Sequence, residues 1–474
     1  MKKCLLSLAA LMLATAAHGA DGDTFSYDGL NYEVLSEADG TAMVIGQNGE
    51  VAGNLVIPSS VVYGNSGYDV AIINYNAFVG CGNLISVVLP GTVTEIRERA
   101  FSDCSGLTEL SLPESLTTIG GYAFAGCSSL TSVAIPASVT DISRAPFLGC
   151  VGLMEISVAE GNRNFCSENG ALYDIQKSAL IQWPGGKTEC VLPDVVTEIA
   201  ASAFSGCSGL TSVALPASLT KIKASAFSDC SSLTSVVIPE SVTSIGDDLF
   251  LNCVNLNSVV LPSNLAEISM AAFFGCEKLT KITDLNPSPQ MVGGYAFSGV
   301  PADAVVYVPK GSKEAYMTAA GWSVFTDFRE MGAFDVALSA DALELQTGKS
   351  DEITATVVKD DDVIVESTEW SSSDPDVAIV MGGVVTAIAP GTAVITYSVY
   401  DGYGVEHVAS CIVTVSGNSA VGSVATEQAD ALVDVYTMQG LLVLCKVASS
   451  DISNLSTGVY IVRQGSAVKK IAVR

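Results

Sequence analysis

The chain has 474 residues, of which 49% are apolar and only 15% are charged, and its 50 acidic and 22 basic side chains give a net charge of −28. Disordered chains combine low hydrophobicity with many charges, so this composition predicts folded domains, about three at this length. So acidic a chain repels phosphate, which argues against a nucleic-acid partner. His18 and His407 are its only histidines, which excludes most general-base and zinc chemistry.

Residues 1–20 have the pattern of a secretory signal peptide. Lys2 and Lys3 precede an apolar stretch from Leu5 to Ala17, and small residues follow at the expected cleavage site. No later apolar run is long enough to span a bilayer. We therefore expect export through this peptide, and a mature chain that is extracellular or at the outer-membrane surface without spanning the membrane.

The middle of the chain repeats with a period of 23 residues, as from Cys81 to Cys104 to Cys127. One unit, at 130–153, reads LTSVAIPASVTDISRAPFLGCVGL: a short strand, a proline turn, a second extended piece and an Ala-Phe-x-x-Cys coil. A unit this short cannot bury its apolar side alone, so stacked units must share one core, which predicts a mostly β solenoid with rungs of about 23 residues.

Phenylalanines and cysteines recur at fixed positions and are predicted to line the core. They are Phe78, Phe101, Phe124, Phe147, Phe204, Phe227, Phe250, Phe273, Cys81, Cys104, Cys127, Cys150, Cys207, Cys230, Cys253 and Cys276. Because equivalent cysteines point the same way, we expect free thiols acting as small apolar groups rather than disulfides. Cys166 and Cys190 flank an insertion, and whether they are bridged is left open.

The first strand of each rung also has positions that point away from the core. These are Ser86/Val88, Glu109/Ser111, Ser132/Ala134, Glu155/Ser157, Ser212/Ala214, Ser235/Val237, Ser258/Val260 and Lys281/Thr283. A flat face of short side chains suits a macromolecule better than a small molecule, which needs a concave pocket. Glu109 and Glu155 are candidate partner-binding residues on this face; simple solvation of the strands is the alternative.

An insertion at 162–186 breaks the register between Cys150 and Cys207. We interpret it as a protruding hairpin. Its Phe165, Tyr173 and Trp183 are further candidate partner-binding residues, because aromatic side chains are enriched at binding hot spots. The alternative is a structural brace across the rungs.

These features resemble the BspA-like family of bacterial surface leucine-rich-repeat proteins. The likeness covers roughly residues 24–331: the opening FSYDGLNYEVLS, the repeated motif, the insertion and the closing YVPKGS and GWSVF segments. It implies a leucine-rich-repeat solenoid over 21–334, with a final strand and an amphipathic helix as its cap. Members are described as secreted or surface adhesins that bind host matrix proteins or other bacteria.

Residues 335–416 change to alternating strand patterns. The run from EWSSSDPDVA to TAIAPGTAVITYSV resembles the bacterial Ig-like group 2 module, which implies a β-sandwich with Trp370 in its core. A small-residue linker follows at 417–430. Residues 431–474 predict a compact four-stranded β-domain, and VDVYTMQG, NLSTGVYIV and KKIAVR resemble the type IX secretion C-terminal sorting domain of Bacteroidetes, which implies the type IX machinery as an export partner.

No catalytic, metal-binding or cofactor-binding residue is predicted, because no nucleophile elbow, phosphate-binding loop or dinucleotide fingerprint is present. We therefore expect no enzyme, no cofactor and no small-molecule substrate. The favoured function is adhesion to a protein or cell-surface ligand through the solenoid. The alternatives are a surface glycan-binding accessory protein and a structural stalk or envelope component.

Overall fold

The computed structural model describes residues 19–361, 363–417, 432–437, 442–448, 458–464 and 467–473. It contains two compact units, Met1–Glu330 and Met331–Arg474. Nearly all of the regular structure is β, in a solenoid of about eleven turns followed by further sheets. Most of the expected signal peptide and of the linker at 417–430 lies outside the described residues.

The solenoid opens with antiparallel strands that close the first end of its core. Thr41–Gln47 and Glu95–Ile96 both pair with Ser66–Ile73 in parallel, which joins the opening strands to the repeats. Tyr32 and Tyr68 are buried beneath them. The opening strands are Thr24–Tyr27, Leu30–Ser36, Thr41–Gln47, Gly53–Val56, Ser60–Tyr63 and Ser66–Ile73.

Each rung then contributes two short strands, a front strand before its proline turn and a back strand after it. Both kinds pair in parallel with the equivalent strand of a neighbouring rung, as Ser86 does with Glu109 and Ile96 with Ile119. The front strands are Gly53–Val56, Leu84–Val88, Glu109–Ser111, Ser132–Ile135, Glu155–Val158, Glu189–Val191, Ser212–Ala214, Ser235–Val237, Ser258–Leu261 and Lys281–Asp284. The back strands are Glu95–Ile96, Thr118–Ile119, Asp141–Ile142, Glu198–Ile199, Lys221–Ile222, Ser244–Ile245, Glu267–Ile268 and Met291–Val292.

The repeated phenylalanines stack ring on ring through the core, and all eight are buried. Phe101 lies 5.5 Å from Phe124, and Phe204 lies 4.7 Å from Phe227, with nearly parallel rings. The phenylalanine N–H also donates to the next rung, as from Phe101 to the Ala123 carbonyl at 2.8 Å. Each rung is therefore bound to its neighbour by both apolar and backbone contacts.

The repeated cysteines are buried free thiols. The Cys127 thiol lies 3.3 Å from the Phe101 carbonyl of the preceding rung, and that of Cys253 lies 3.1 Å from the Phe227 carbonyl. Burial raises the pKa of Cys207 and Cys276 to about 12, so both stay protonated at neutral pH. The cysteine column therefore serves as a small apolar filler that also donates a weak hydrogen bond.

The insertion is not a two-stranded protruding hairpin. It forms three antiparallel strands, Phe165–Glu168, Ala171–Asp174 and Ala179–Gln182, and the last of these pairs in parallel with the back strand Glu198–Ile199. It therefore begins a second back sheet, which is separate from the one that ends at Asp141–Ile142.

Trp183 takes the place of a rung phenylalanine. Its N–H donates to the Ala203 carbonyl at 2.9 Å, just as the Phe101 N–H donates to the Ala123 carbonyl, and its ring lies 5.6 Å from that of Phe204. Cys190 likewise occupies the core position of a front strand, in register with Val213. Cys166 and Cys190 are both free thiols. The insertion thus includes a shortened rung of its own.

The far end of the solenoid is closed by a cap of two strands, Val305–Val308 and Asp327–Glu330, with the helix Lys313–Thr318 and a 3-10 turn Trp322–Val324 between them. Tyr316 and Trp322 are buried against Phe297 and its neighbours in the core. The expected final strand and short helix are present, and a second strand extends the front sheet beyond them.

Asp284 is a buried carboxylate beside this cap. Its Oδ1 accepts the Asn286 N–H at 3.0 Å, but its Oδ2 has no hydrogen-bond partner. Burial raises the pKa of this carboxyl to about 7, although the Asn286 N–H acts in the opposite direction. The buried Gln290 side chain beside it is also without hydrogen-bond partners. The cap is thus the place where the apolar core gives way to poorly paired polar groups.

The second unit begins with nine strands in three sheets, and its apolar core includes Ile395, Cys411 and Val413. Trp370 is half-buried against this core, with its ring 4.7 Å from that of Tyr397. The strands are Phe334–Leu338, Ala342–Gln346, Ser350–Glu352, Ala355–Lys359, Val365–Ser372, Ala378–Met381, Val384–Ala387, Gly391–Asp401 and Glu406–Ser416.

Four further strands follow, within 431–474, and form one antiparallel sheet. Its outer strands are Leu442–Ala448 and Ala467–Val473, with Leu432–Thr437 and Gly458–Gln464 between them.

The rung position of Trp183 predicts a specific stability pattern. Trp183→Phe keeps an aromatic ring in the stack and is expected to cost roughly 1–2 kcal/mol of unfolding free energy, whereas Trp183→Ala leaves a cavity and is expected to cost about 3–5 kcal/mol. Urea unfolding followed by circular dichroism measures both. Equal, small losses for the two variants would place the ring outside the core.

Asp284 predicts a pH-dependent stability. Between the ordinary aspartate pKa of about 4 and the folded value of about 7, the folded chain retains a proton that the unfolded chain has lost. Stability therefore falls as the pH rises through this window. Asp284→Asn removes this titration, so its stability relative to the unmodified chain should improve by about 2–4 kcal/mol between pH 4.5 and pH 8.

Thermal melts across that pH range measure the effect. The control is Asp303→Asn, an exposed aspartate in the loop before the cap, which should change the melting temperature little and equally at every pH. A pH-independent effect of Asp284→Asn would contradict the assignment.

Candidate functional site

The candidate site is the outer face of the front strands, meaning the side chains of those strands that point away from the core. Parallel pairing places equivalent residues side by side: Ser86 with Glu109, Val88 with Ser111, and Ser132 with Glu155. Strand residues alternate between the two faces of a sheet. The outer face therefore consists of straight columns that run from rung to rung.

Glu109 and Glu155 are both exposed on this face, on either side of Ser132. The same columns carry valines that are exposed to an unusual degree for apolar residues: Val56 at 65%, Val88 at 49%, Val191 at 71% and Val237 at 43%. The face is thus a mixture of carboxylates, hydroxyls and isolated apolar groups.

Two of these rungs extend the set predicted from the sequence. Gly53–Val56 pairs with Leu84–Val88 and adds Asn54 and Val56, while Glu189–Val191 pairs with Ser212–Ala214 and adds Glu189 and Val191. A sequence signal for both existed, because NLVIP at 54–58 and ECVLP at 189–193 carry the same strand-and-proline pattern as the regular rungs.

Two predicted outward positions are not exposed. Val260 and Thr283 are buried, so the expectation is wrong for the last two rungs. Pairing sets the large Tyr307 directly beside Thr283 in the same column, and a ring at that position shields a threonine from solvent. The exposed part of the outer face therefore ends at Val237.

The insertion divides the outer face into two parts. Its Asn169–Gly170 turn lies against the edge of Glu155–Val158, where the Ile156 N–H donates to the Gly170 carbonyl at 2.8 Å. One part comprises the front strands up to Glu155–Val158, and the other runs from Glu189–Val191 to Ser235–Val237.

A column of threonines beside the outer face has a structural role. The hydroxyls of Thr211 and Thr234 donate to the carbonyls of Thr188 and Thr211 in the preceding rungs, at 3.0 and 3.3 Å. These side chains satisfy the backbone between rungs. The valines and glutamates of the outer face remain the candidates for contact with a partner.

The aromatic candidates of the insertion do not form a surface cluster. Tyr173 and Trp183 are buried, which corrects the expectation that they face a partner, because the insertion supplies its own rung and turns these rings inward. Phe165 is half-buried and packs against the core of the first rungs. The brace interpretation fits this placement better than a binding hairpin.

His407 lies near the start of the strand Glu406–Ser416 in the second unit. Its Nε2 lies 2.8 Å from Oδ2 of the buried Asp401, whose Oδ1 accepts the N–H groups of Tyr403 and Val405. This pair holds together the turn between two long strands. Within the described part of the chain, no cluster of three or more His, Cys, Asp or Glu side chains could hold a metal ion.

None of the helices among the described residues combines the length and the apolar character that crossing a bilayer requires.

Solved structures with leucine-rich repeats resemble the chain at low sequence identity. The pneumococcal vaccine antigen PcpA is 19% identical, over 66% of this chain and 100% of that one, with a TM-score of 0.45. A leucine-rich repeat protein from Bacteroides ovatus is 22% identical, over 68% and 94%, with a TM-score of 0.39. A leucine rich cell surface protein from Faecalibacterium prausnitzii is 23% identical, over 55% and 94%, with a TM-score of 0.31.

No curated protein matches the chain in sequence. The family model described as the BspA type leucine rich repeat region matches residues 71–174 and 175–302, in six copies. Residues 71–302 are thus similar to leucine-rich repeat regions of the BspA type.

Proposed function

We propose that this chain is an exported surface protein that binds a protein of the host matrix or of another cell through the outer face of its solenoid. The observation that carries the proposal is the composition of the two parts of the outer face. In each part an exposed valine, Val88 or Val191, is surrounded by hydroxyl and carboxylate side chains. Such a surface offers apolar contact area with a polar surround, the composition of protein-binding patches.

The geometry favours a macromolecule over a small molecule. Small ligands need a concave site that buries most of their surface. The outer face is made of short side chains on paired strands, and its exposed valines are spread over many rungs rather than gathered around one cavity. A broad, shallow contact of this kind suits a folded protein partner.

The remaining modules fit a protein presented outside the cell. The sheets at 334–416 would act as an Ig-like spacer, and 431–474 as the sorting domain that the type IX machinery recognises after export through residues 1–20. We include these roles in the proposal because of the sequence resemblances. The acidic composition of the chain supports solubility outside the cell.

Exposed valines give a direct test of the outer face. The double variant Val88→Glu, Val191→Glu alters one valine in each part of the face and should weaken partner binding by at least about tenfold, because each buried valine contributes on the order of 1 kcal/mol or more. Residues 21–474, immobilised on a biosensor, are probed with fibronectin, fibrinogen, mucin glycans and whole bacterial cells.

The matched control is Val62→Glu, Val195→Glu. Val62 and Val195 are exposed to 59% and 56% but do not belong to the outer face, so this variant should bind as the unmodified chain does. Binding to mucin glycans alone would favour the glycan-binding accessory role, and no saturable binding to any probe would favour a structural stalk.

Deletion of 431–474 tests the export role. In a bacterium that possesses type IX secretion, the shortened chain should accumulate in the periplasm, and protease accessibility on intact cells should fall to background. Deletion of 335–416 with the C-terminal segment retained is the control and should leave surface display intact. Normal display of the chain without 431–474 would contradict the sorting role.

A further inference from the structure

A notch opens on the back of the solenoid where one rung lacks two consecutive side chains. The back strand Thr118–Ile119 is followed by Gly120 and Gly121. In the neighbouring rungs the same two positions hold Arg97 and Glu98 on one side, and Ser143 and Arg144 on the other. The missing side chains leave a pocket of about 310 Å³, lined by these residues together with Tyr75, Glu95, Ile96, Thr118 and Tyr122.

The two glycines differ in what requires them. A Cβ on Gly120 would lie 2.5 Å from backbone atoms of Arg97 and Glu98, so the close packing of rungs demands glycine there. A Cβ on Gly121 would find its nearest neighbour, the Arg144 carbonyl oxygen, at 3.4 Å, which is ordinary contact. Packing therefore explains Gly120 but not Gly121, whose main effect is to keep the notch open.

Arginine and tyrosine side chains surround the notch. The Arg97 guanidinium lies 5.2 Å from the centre of the Tyr75 ring, and those of Arg99 and Arg144 lie 5.7 and 6.0 Å from the Tyr122 ring. Two cations thus lie against a single aromatic ring. Such contacts stabilise an arginine in an extended, ordered position over the ring.

Two of these arginines are not neutralised by carboxylates. Arg97 pairs with Glu95 at 3.0 Å, but Arg99 and Arg144 belong to none of the ion pairs among the described residues. Arg144 instead donates to the hydroxyls of Ser202 and Ser225, at 2.7 and 3.3 Å. Uncompensated guanidinium groups are unexpected in a chain with 28 excess negative charges, and their natural partner is a carboxylate or a sulfate.

The notch also offers groups that a simple anion would not use. Tyr75 is 55% exposed, and Glu98 lines the same pocket. A sugar ring places its C–H face on an aromatic ring, and its hydroxyls donate to carboxylates. An acidic peptide has no such hydroxyl-rich face. A volume near 310 Å³ is at the small end of ligand pockets, the size of a single sugar unit.

We propose that the Gly120–Gly121 notch binds an acidic sugar residue, one that bears a carboxylate or a sulfate, within a surface or matrix polysaccharide. Arg144, which lines the notch, and Arg99, which lies beside the notch against the Tyr122 ring, hold the anionic group. The tyrosine rings carry the sugar face, and Gly121 provides the space. The site lies on the back strands, so it operates independently of the outer face assigned to a protein partner.

Calorimetry on residues 21–474 tests this with three probes: a heparin hexasaccharide carrying sulfate and carboxylate, a hyaluronan hexasaccharide carrying carboxylate alone, and neutral maltohexaose. We expect saturable binding of the heparin fragment or of both acidic fragments, and none of maltohexaose. The pattern between the two acidic probes identifies the anionic group. Saturable binding of neither, or equal binding of the neutral probe, would overturn the proposal.

Variants separate the notch from general electrostatics. Gly121→Leu fills the space without changing charge, and Arg99→Gln removes one uncompensated cation. Each variant should lower the affinity for the acidic oligosaccharide by at least about tenfold. The matched control is Arg329→Gln, an arginine paired with Asp327 outside the notch, which should leave binding unchanged. Thermal melts verify that each variant is folded, and Arg99→Gln keeps the test valid if Gly121→Leu is unstable.

Two further measurements distinguish the notch from the outer face and a sugar from an acidic peptide. The outer-face variant Val88→Glu, Val191→Glu should bind the oligosaccharides normally, so failure of the protein-binding proposal would not affect this one. A poly-glutamate peptide should not compete with the sugar. If the peptide does compete, and if Gly121→Leu abolishes that competition, the ligand is an acidic protein segment and the sugar assignment is overturned.

Discussion

Contact between successive rungs is the interaction on which the rest of this structure depends. A rung of about 23 residues has no interior of its own, so its phenylalanine becomes buried only when another aromatic ring stacks on it, at 4.7 to 5.7 Å along the series. The same contact pairs front strands with front strands and back strands with back strands. It also brings six of the eight repeated cysteine thiols to a carbonyl of the preceding rung. One stacking geometry thus determines the core, the sheets and both outer surfaces.

Because stacking requires every rung to follow the same path, any irregularity becomes a local feature rather than a change of fold. The ring stack is interrupted after Phe147, and the insertion starts it again with Trp183, whose ring lies against Phe204. Cys190 takes the place of a strand core residue. The insertion also divides the outer face by laying a turn against Glu155–Val158. The end of the stack is handled differently, with Tyr316 and Trp322 covering the last rung and Asp284 left buried beside them.

The same reasoning explains where surface chemistry gathers. Side chains one rung apart lie next to each other, so a pair of residues distant in sequence by one period behaves like a neighbouring pair. Arg99, Tyr122 and Arg144 come from three successive rungs and meet because of this geometry. Two arginines thus lie close together on a chain whose net charge is strongly negative, a local feature that the overall composition does not reveal.

The amino-acid sequence alone determined the periodic part of this protein: the solenoid, the inward columns of phenylalanine and cysteine, and most outward positions of the front strands. These follow from a repeat whose every copy has the same surroundings. Only the tertiary structure decided what happens where that repetition fails. Trp183 lies 36 residues after Phe147 and 21 before Phe204, so no fixed period predicts that it takes the place of a phenylalanine. The burial of Tyr173 is likewise not predicted by the period. Thr283 is buried beside Tyr307 of the cap, which lies beyond the last repeat. The notch depends on the side chains that surround Gly120 and Gly121. A period specifies which residues are neighbours. Whether a neighbour shields a side chain from solvent, or whether several side chains meet at one point, depends on the size and direction of those side chains in space.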